Sequence, residues 1–324
     1  MRKSTFLSLI LLLVIMVSNS ANADQKFYKF GAADVASAWF PLGSALSTLV
    51  TDQVKGVVLT TTFGGAVKNA NVVNDNPQNM GFSFGGTTYD AFNGLPPFKS
   101  KKQNIRGMFT VGPWVLQIAA RADSGNNSIR EMIKKKLIWS PSEIGFGTEI
   151  AARRVFRAYG TDYEKLKKEG STLLFVGRKE QSHLMQNRQL DCLFTMSPPP
   201  HPILIELETF MPIHCLALEP EVLNTLLTKY HGYIDVTIPA GCTKAQKQAV
   251  KTIGEVMYAI CHKDVPNDVA YAVTKTFWEN QKQIEAAFPA IKRYLDPQKP
   301  VRGITVPLHP GAVKYYKEKN IKID

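Results

Sequence analysis

The segment Gly145–Glu149 carries the residue types of a helix start that can bind an anion. Thr148 is a good N-cap, Glu149 suits a first turn, and Gly160 supplies the stop for the helix that we predict between them. The first backbone N–H groups of a helix have no partner within it, and with the helix dipole they attract a carboxylate or a phosphate. Because every helix has such an end, a capped helix without a ligand is the alternative interpretation.

The segment Gly81–Gly85 reads Gly-Phe-Ser-Phe-Gly and matches the G-x-S-x-G nucleophile elbow of serine hydrolases. In such an elbow the serine, here Ser83, follows a buried strand and works with an acidic residue and a histidine. The polar run 74–79 leaves room for only a short strand before it. We therefore expect Ser83 to contact a ligand or to serve the structure, and a secreted esterase that uses Ser83 is an alternative.

Aromatic and basic side chains at predicted element boundaries could contact the body and the charge of a ligand. Trp39 and Phe40 precede Pro41, which favours a first helical turn, so they either pack against that helix or face a ligand. Arg121 ends a long apolar run, where it either pairs with Asp123 or clamps a ligand carboxylate.

The first residues have the pattern of a secretory signal peptide. Arg2 and Lys3 precede the apolar run Phe6–Val17, and Ala21-Asn22-Ala23 is the small-x-small pattern of a cleavage site. The run is short for a membrane span, which needs about 20 residues, so an uncleaved anchor is the weaker interpretation. We expect cleavage after Ala23 and a periplasmic protein.

The formal net charge of +12 could indicate nucleic acid, an anionic surface or an anionic ligand. Export argues against nucleic acid, and the one dense cluster, Lys134–Lys136, fits a solvated face. The six histidines form neither an HExxH motif nor a close pair, so we expect no metal and no cofactor. The four cysteines allow three disulfide pairings, or they are buried thiols.

Strand-like runs alternate with helical ones throughout the chain, which predicts an open α/β fold. The apolar runs 114–120 and 253–260 are long enough to cross between two lobes. We predict a signal peptide at 1–23, a first lobe at 24–113 plus 252–324, and a second lobe at 114–251. The cleft between the lobes would lie at the carboxyl ends of strands, where ligands of open α/β sheets bind.

Several loops taken together resemble the solute-binding proteins of tripartite ATP-independent periplasmic (TRAP) transporters, specifically the TAXI family. The resemblance covers essentially the whole predicted mature chain. Its motifs are Trp39–Gly43, Gly64–Asn69, Met80–Phe82, Tyr89–Gly94, Arg121–Gly125, Gly147–Glu149 with Ala152–Arg154, Thr237–Gly241, Thr274–Lys275 with Trp278–Asn280, and Val306–Ala312.

The resemblance implies a two-lobed periplasmic binding protein of the type II-like, Venus flytrap kind, with two crossing strands. It implies capture of a small organic anion by closure of the lobes and delivery to an integral-membrane TRAP permease, without catalysis. We expect a monomer. The residues predicted to bind the ligand are Ser37, Trp39, Phe40, Gly64, Gly65, Ser83, Phe84, Arg121, Gly147, Thr148, Glu149, Ser197 and His201.

The chain departs from the family pattern in the loops that should line the cleft. The first loop, 31–40, has fewer hydroxyls and glycines than the family's, Phe84–Gly86 replaces a polar Gln-Ser-Asp, and the second lobe has the proline-rich Ser197–Pro202. These changes predict a ligand with a larger apolar part than glutamate. An exported adhesive or sensor-partner module without a small ligand is a third class of function that remains open.

Overall fold

The computed structural model describes residues 25–35 and 37–323. The predicted signal peptide and its cleavage site lie outside these residues. Within them, no helix has the length and apolar character that a membrane span requires.

The described chain alternates strands with helices. The strands are β1 (Lys26–Gly31), β2 (Val57–Thr62), β3 (Asn79–Phe84), β4 (Ile105–Arg121), β5 (Ile138–Ser140), β6 (Thr172–Leu173), β7 (Cys192–Ser197), β8 (Ile213–Cys215), β9 (Tyr233–Ile238) and β10 (Val250–His262). The α-helices are α1 (Trp39–Gln53), α2 (Ala66–Asp75), α3 (Gly85–Asn93), α4 (Ile129–Ile133), α5 (Gly147–Ala158), α6 (Tyr163–Lys168), α7 (Arg178–Gln186), α8 (Pro202–Leu207), α9 (Pro220–Lys229), α10 (Asn267–Glu279), α11 (Gln281–Ala287) and α12 (Pro310–Glu318).

The strands form one continuous mixed sheet in the order β2-β1-β3-β10-β4-β7-β5-β6, with β8 paired to β4 and β9 paired to β10. Strands β1, β2 and β3 pair in parallel at one end, and β5, β6 and β7 pair in parallel at the other. We call these two groups, with the helices packed on them, lobe 1 and lobe 2.

Strands β4 and β10 run antiparallel to each other and join the two lobes. Strand β4 pairs with β10 along residues 105–115 and with β7 along residues 115–120. Strand β10 pairs with β3 of lobe 1 along residues 257–261 and with β9 along residues 250–255. The predicted two-lobed α/β fold with two crossing strands is therefore confirmed.

Each lobe has an aromatic core on its parallel strands. In lobe 1 the ring of Trp39 packs edge-on against Phe84 at 4.9 Å. In lobe 2 the ring of Trp139 packs edge-on against Phe156 at 5.3 Å, and both are fully buried. Burial of an aromatic or aliphatic side chain of this size stabilises the fold by about 1.5–3 kcal/mol. Two helices that begin at the cleft, α1 and α5, are fixed by these contacts.

Several predicted boundaries are wrong by a few residues. Helix α1 begins at Trp39 instead of Pro41, with Ala38 as its N-cap residue, and the Ser37 hydroxyl accepts a hydrogen bond from the Trp39 N–H (3.2 Å). Helix α5 begins at Gly147, and its N-cap residue is Phe146 instead of Thr148. The apolar run 173–176 predicts a strand, but the strand there is limited to Thr172–Leu173.

Candidate functional site

Loops of both lobes meet at a small cavity in the cleft. Lobe 1 lines it from the ends of β1 and β3 and the start of α2, and lobe 2 lines it from β7 and the starts of α5 and α7. The lining residues are Ala33, Ser37, Trp39, Gly65, Ala66, Phe84, Phe146, Gly147, Thr148, Arg178 and Met196. Its empty volume, including space open to solvent, is about 260 Å³. The lobes are closed on this cavity, because Gly147 of lobe 2 lies against the Phe84 ring of lobe 1 and Arg178 of lobe 2 pairs with Asp34 of lobe 1.

The first turn of α5 faces this cavity with unused hydrogen-bond donors. Its N-cap residue, Phe146, offers no side-chain acceptor. Within the described chain, the backbone N–H groups of Gly147, Thr148 and Glu149 have no acceptor, and the first N–H that is bonded belongs to Ile150. Unused N–H groups at the positive end of a helix dipole stabilise an anion.

A second helix begins at the same cavity from lobe 1. Gly65 is the N-cap residue of α2, with a φ of 146° that favours glycine, and Ala66 follows it in the wall. Helix α2 has ten residues and no side chain that caps its N-terminus. The partial positive ends of α2 and α5 thus meet across the cleft.

Arg178 brings a full positive charge to the cavity. It is the first residue of α7, and about 10% of its side chain is exposed. One terminal nitrogen donates to the Asp34 carboxylate of lobe 1 at 2.5 Å, and the guanidinium lies 6.0 Å from the centre of the Phe146 ring. Its Nε is buried and has no hydrogen-bond partner among the described residues. Arg178 can therefore donate a further hydrogen bond to an anion.

Glu149 does not present its carboxylate to the cavity. Although it lies in the first turn of α5, it is only 1% exposed. One carboxylate oxygen accepts from Arg153 at 2.6 and 3.0 Å, and the other accepts from the Gly145 N–H at 3.4 Å. Arg153 offsets a charge that would otherwise oppose an anion at this helix end.

The rest of the wall is apolar. Trp39, Phe84 and Phe146 supply aromatic surface, and Met196 lies at the edge of lobe 2. The Thr148 hydroxyl has no hydrogen-bond partner in the described chain, whereas the Ser37 hydroxyl is already engaged with the Trp39 N–H. The cavity therefore combines an anion-binding end with aromatic walls.

Six of the predicted residues come together at this cavity: Ser37, Trp39, Gly65, Phe84, Gly147 and Thr148. The structure places the other lobe 1 candidates elsewhere. Phe40 stacks on Phe63 at 5.6 Å. Gly64 packs against Asn69, whose side-chain amide donates to the carbonyl oxygens of Gly31, Ala32 and Phe82.

Ser83 is fully buried behind the wall of the cavity. Its Oγ donates a hydrogen bond to the Ala66 carbonyl oxygen at 3.1 Å. No histidine or carboxylate of the described chain contacts this hydroxyl, so the arrangement needed to activate a serine nucleophile is not present.

Three lobe 2 candidates lie outside the wall of the cavity. Arg121 lies at the far end of β4, where its Nε is 3.9 Å from the Asp123 carboxylate, and its Nε and Nη1 are buried without a hydrogen-bond partner among the described residues. The Ser197 hydroxyl donates to the Pro198 carbonyl oxygen, and His201 caps α8 by accepting from the Ile203 N–H at 3.0 Å. Burial, aided by the nearby Arg178 charge, holds the pKa of His201 well below its usual value, so this side chain is neutral.

Sequence reasoning missed Arg178, Ala33, Ala66, Phe146 and Met196. A signal for Arg178 exists, because Gly177 follows the strand-like run 173–176 and an arginine then opens a helix at the carboxyl end of a strand. Among the described residues, no group of three or more His, Cys, Asp and Glu side chains could hold a metal ion.

A larger cavity, with an empty volume of about 850 Å³, shares none of these residues. It lies beside the middle of β4 and β10 and is lined by Thr110, Gly112, Pro113, Ile234, Val256, Trp278, Tyr294, Asp296, Lys299, Arg302 and Gly303. None of the helices in the described part of the chain begins at this cavity, and its charged side chains are exposed. We therefore assign the candidate site to the smaller cavity between the lobes.

Comparison with known structures supports the fold. The chain is similar to MatC from Rhodopseudomonas palustris, a structure with bound malate, at a TM-score of 0.54 and 10% identity over 82% of this chain and 88% of that one. It is also similar to a periplasmic transporter at a TM-score of 0.50 and 11% identity, over 94% and 100% of the two chains. The model of the NMT1-like family matches residues 30–319. The chain therefore belongs to the NMT1-like family.

Proposed function

We propose that this protein is an extracytoplasmic receptor that captures a small organic anion by closure of its two lobes. One observation carries the proposal: the start of α5, with its free N–H groups, and Arg178, whose buried Nε has no partner among the described residues, line the same aromatic-walled cavity. A carboxylate or sulfonate would accept hydrogen bonds from both, and charge-assisted bonds of this kind are among the strong ones.

The ligand has an apolar body next to its charged group. Trp39, Phe84 and Phe146 would cover that body. We therefore propose an anion with one carboxylate or sulfonate at the α5 end and an apolar part larger than that of glutamate, as the departures from the family pattern predict.

The wider role follows the resemblance of the loops to TAXI proteins. We propose that the protein is exported to the periplasm after cleavage near Ala23 and delivers its ligand to an integral-membrane TRAP permease as a monomer, without a cofactor and without catalysis. The lobes correspond in this proposal to residues 24–113 with 252–324 and to residues 114–251. An esterase and an adhesive or sensor-partner module without a ligand are the competing functions.

The test is a thermal-shift screen of short carboxylates and sulfonates, with malate included, followed by calorimetry. A ligand at a hundred times its Kd stabilises the folded protein by about 2.7 kcal/mol. Arg178→Gln should weaken the binding of any hit about 10- to 100-fold, because a hydrogen bond to a charged group contributes about 1.5–3 kcal/mol.

Arg188→Gln is the matched control. Arg188 follows α7, is 62% exposed at its side chain and pairs only with Asp123 outside the cavity. Its removal should leave affinity unchanged. A screen without any shift, or a hit that binds equally to Arg178→Gln, would contradict the proposed function.

A further inference from the structure

We propose that the ion pair between Arg154 of α5 and Asp90 of α3 is a latch that holds the two lobes closed. The inference rests on the proposed function, because it concerns the closure that would trap the ligand. It adds residues that lie outside the cavity, and it can be tested without any ligand.

The pair joins the two lobes at a buried position. A terminal nitrogen of Arg154 in lobe 2 donates to the Asp90 carboxylate in lobe 1, and both residues are only 6% exposed. No other buried arginine–carboxylate pair among the described residues has both side chains below 10% exposed. Separation of the lobes would break this pair and bring both charges to water.

Aromatic side chains hold the guanidinium in place from the lobe 2 side. Its central carbon lies 4.5 Å from the centre of the Tyr230 ring and 5.4 Å from that of Tyr233, and a terminal nitrogen lies 3.4 Å from the Tyr233 hydroxyl. Cation–π contacts of this kind strengthen when water is excluded. The two tyrosines therefore hold the Arg154 guanidinium in the orientation in which it binds Asp90 of lobe 1.

A second carboxylate lies near the pair on the crossing strand β10. Glu255 is fully buried, and its Oε2 accepts from the Gly86 N–H at the start of α3 (3.1 Å). Its Oε1 has no hydrogen-bond partner in the described chain. Arg154 interacts electrostatically with both Asp90 and Glu255, so its loss would remove the main positive charge that faces two buried carboxyl groups.

One helix connects the latch to the candidate anion site. Gly147 at the start of α5 and Arg154 are seven positions apart, which corresponds to two turns and about 10 Å. Because a helix of this length moves as a rigid unit, the motion that brings the α5 N-terminus to the cavity also brings Arg154 to Asp90. Formation of the Arg154–Asp90 ion pair and closure of the cavity around a ligand therefore depend on the same movement of α5.

The test measures the distance between the lobes in ligand-free protein. Spin labels are placed at Lys68→Cys on α2 of lobe 1 and Ile144→Cys just before α5 of lobe 2, both of which are exposed. The half-buried Cys242 is replaced by serine, and the other cysteines are buried. Pulsed dipolar spectroscopy then reports the short distance of the closed form and a longer one for the open form.

We expect the closed form to dominate with Asp90 and Arg154 intact, and Asp90→Asn to raise the ratio of open to closed protein at least tenfold. Arg154→Lys, which keeps the charge but loses the planar group on the tyrosines, should raise it less and serves if Asp90→Asn does not fold. Arg153→Lys is the control, because Arg153 pairs with Glu149 of its own helix. Unchanged distances in both latch variants, or an intact protein that shows only the long distance, would overturn the latch.

This outcome is separate from that of the ligand screen. If the latch variants change the distance but the screen finds no ligand, the latch is supported and the anion proposal is contradicted. If a ligand binds but the latch variants leave the distance unchanged, the anion proposal is supported and the latch is contradicted.

Discussion

Gly147 of lobe 2 packs directly onto the ring of Phe84 in lobe 1. A Cβ atom built on Gly147 would lie 2.4 Å from Cδ2 of Phe84 and 2.6 Å from Cε2. Such distances are far below van der Waals contact, so the closed form depends on a glycine at this position.

Gly147→Ala should therefore disfavour closure and destabilise the closed protein by about 1–3 kcal/mol, the usual cost of overpacking. Unfolding in urea measures the change in stability. Gly177→Ala is the control at another helix start in the same cleft, because its Cβ would meet only Glu143 at 3.5 Å or more. Equal losses in the two variants would show that the Phe84 contact is not the cause.

Stability should decrease as the pH rises from about 4.5 to 7. Burial raises the pKa of Glu255 to about 7, against the opposing effects of Arg154 and the Gly86 N–H. Between the two pKa values the folded protein holds a proton that the unfolded chain has released, so the free energy of unfolding falls with pH. A shift of this size corresponds to about 3 kcal/mol.

Glu255→Gln removes the titrating group and should abolish most of this decrease between pH 5 and pH 8. Guanidinium unfolding at the two pH values gives the comparison. Glu221→Gln, which changes an exposed carboxylate paired with Arg130, should retain the decrease seen in the unmodified protein. Persistence of the full decrease in Glu255→Gln would assign it to other groups.

The four cysteines should react as free thiols. Cys192, Cys215 and Cys261 are at most 2% exposed, and burial raises the pKa of each thiol. Only Cys242 is half-buried. We expect Ellman's reagent to titrate Cys242 in the folded protein and the other three after denaturation, and Cys242→Ser to remove the early reaction. Fewer than four thiols in denatured protein would reveal a disulfide.

Ser83→Ala should leave ligand binding unchanged and lower stability by about 1 kcal/mol, because it removes one buried hydrogen bond to the Ala66 carbonyl oxygen. The same variant tests the esterase. Labelling of Ser83 in the unmodified protein by a serine-reactive phosphonate, and its loss in the variant, would favour a hydrolase over a receptor.

Local sequence predicted the elements of lobe 1 well, because hydrophobic period and turn residues are local properties. The β-branched run Val57–Thr62 and the short run Asn79–Phe84 predict strands, Gly64-Gly65 predicts a helix start, and the structure has these elements at those residues. The Gly145–Glu149 turn also opens a helix at the cleft, although Phe146 is its N-cap residue.

The cation of the site was harder to predict because it depends on which strand ends meet. Arg121 ends the crossing strand, but the register of β4 with β8 carries it beyond the cavity. Arg178 reaches the cavity from a polar stretch whose composition resembles any exposed helix start. The order of the strands in the sheet determines which of these two arginines reaches the cavity, and that order depends on contacts between residues far apart in the sequence.

Strands β4 and β10 also determine how the chain can come apart. Strand β10 pairs with β3 and β9, strand β4 pairs with β7, and the two strands pair with each other along residues 105–115 of β4. A polypeptide cut at a lobe boundary would lose part of both strands and expose their edges, so neither lobe is a module that can fold by itself. We expect a single cooperative unfolding transition, with the amide protons at the centre of β4 and β10 the slowest to exchange.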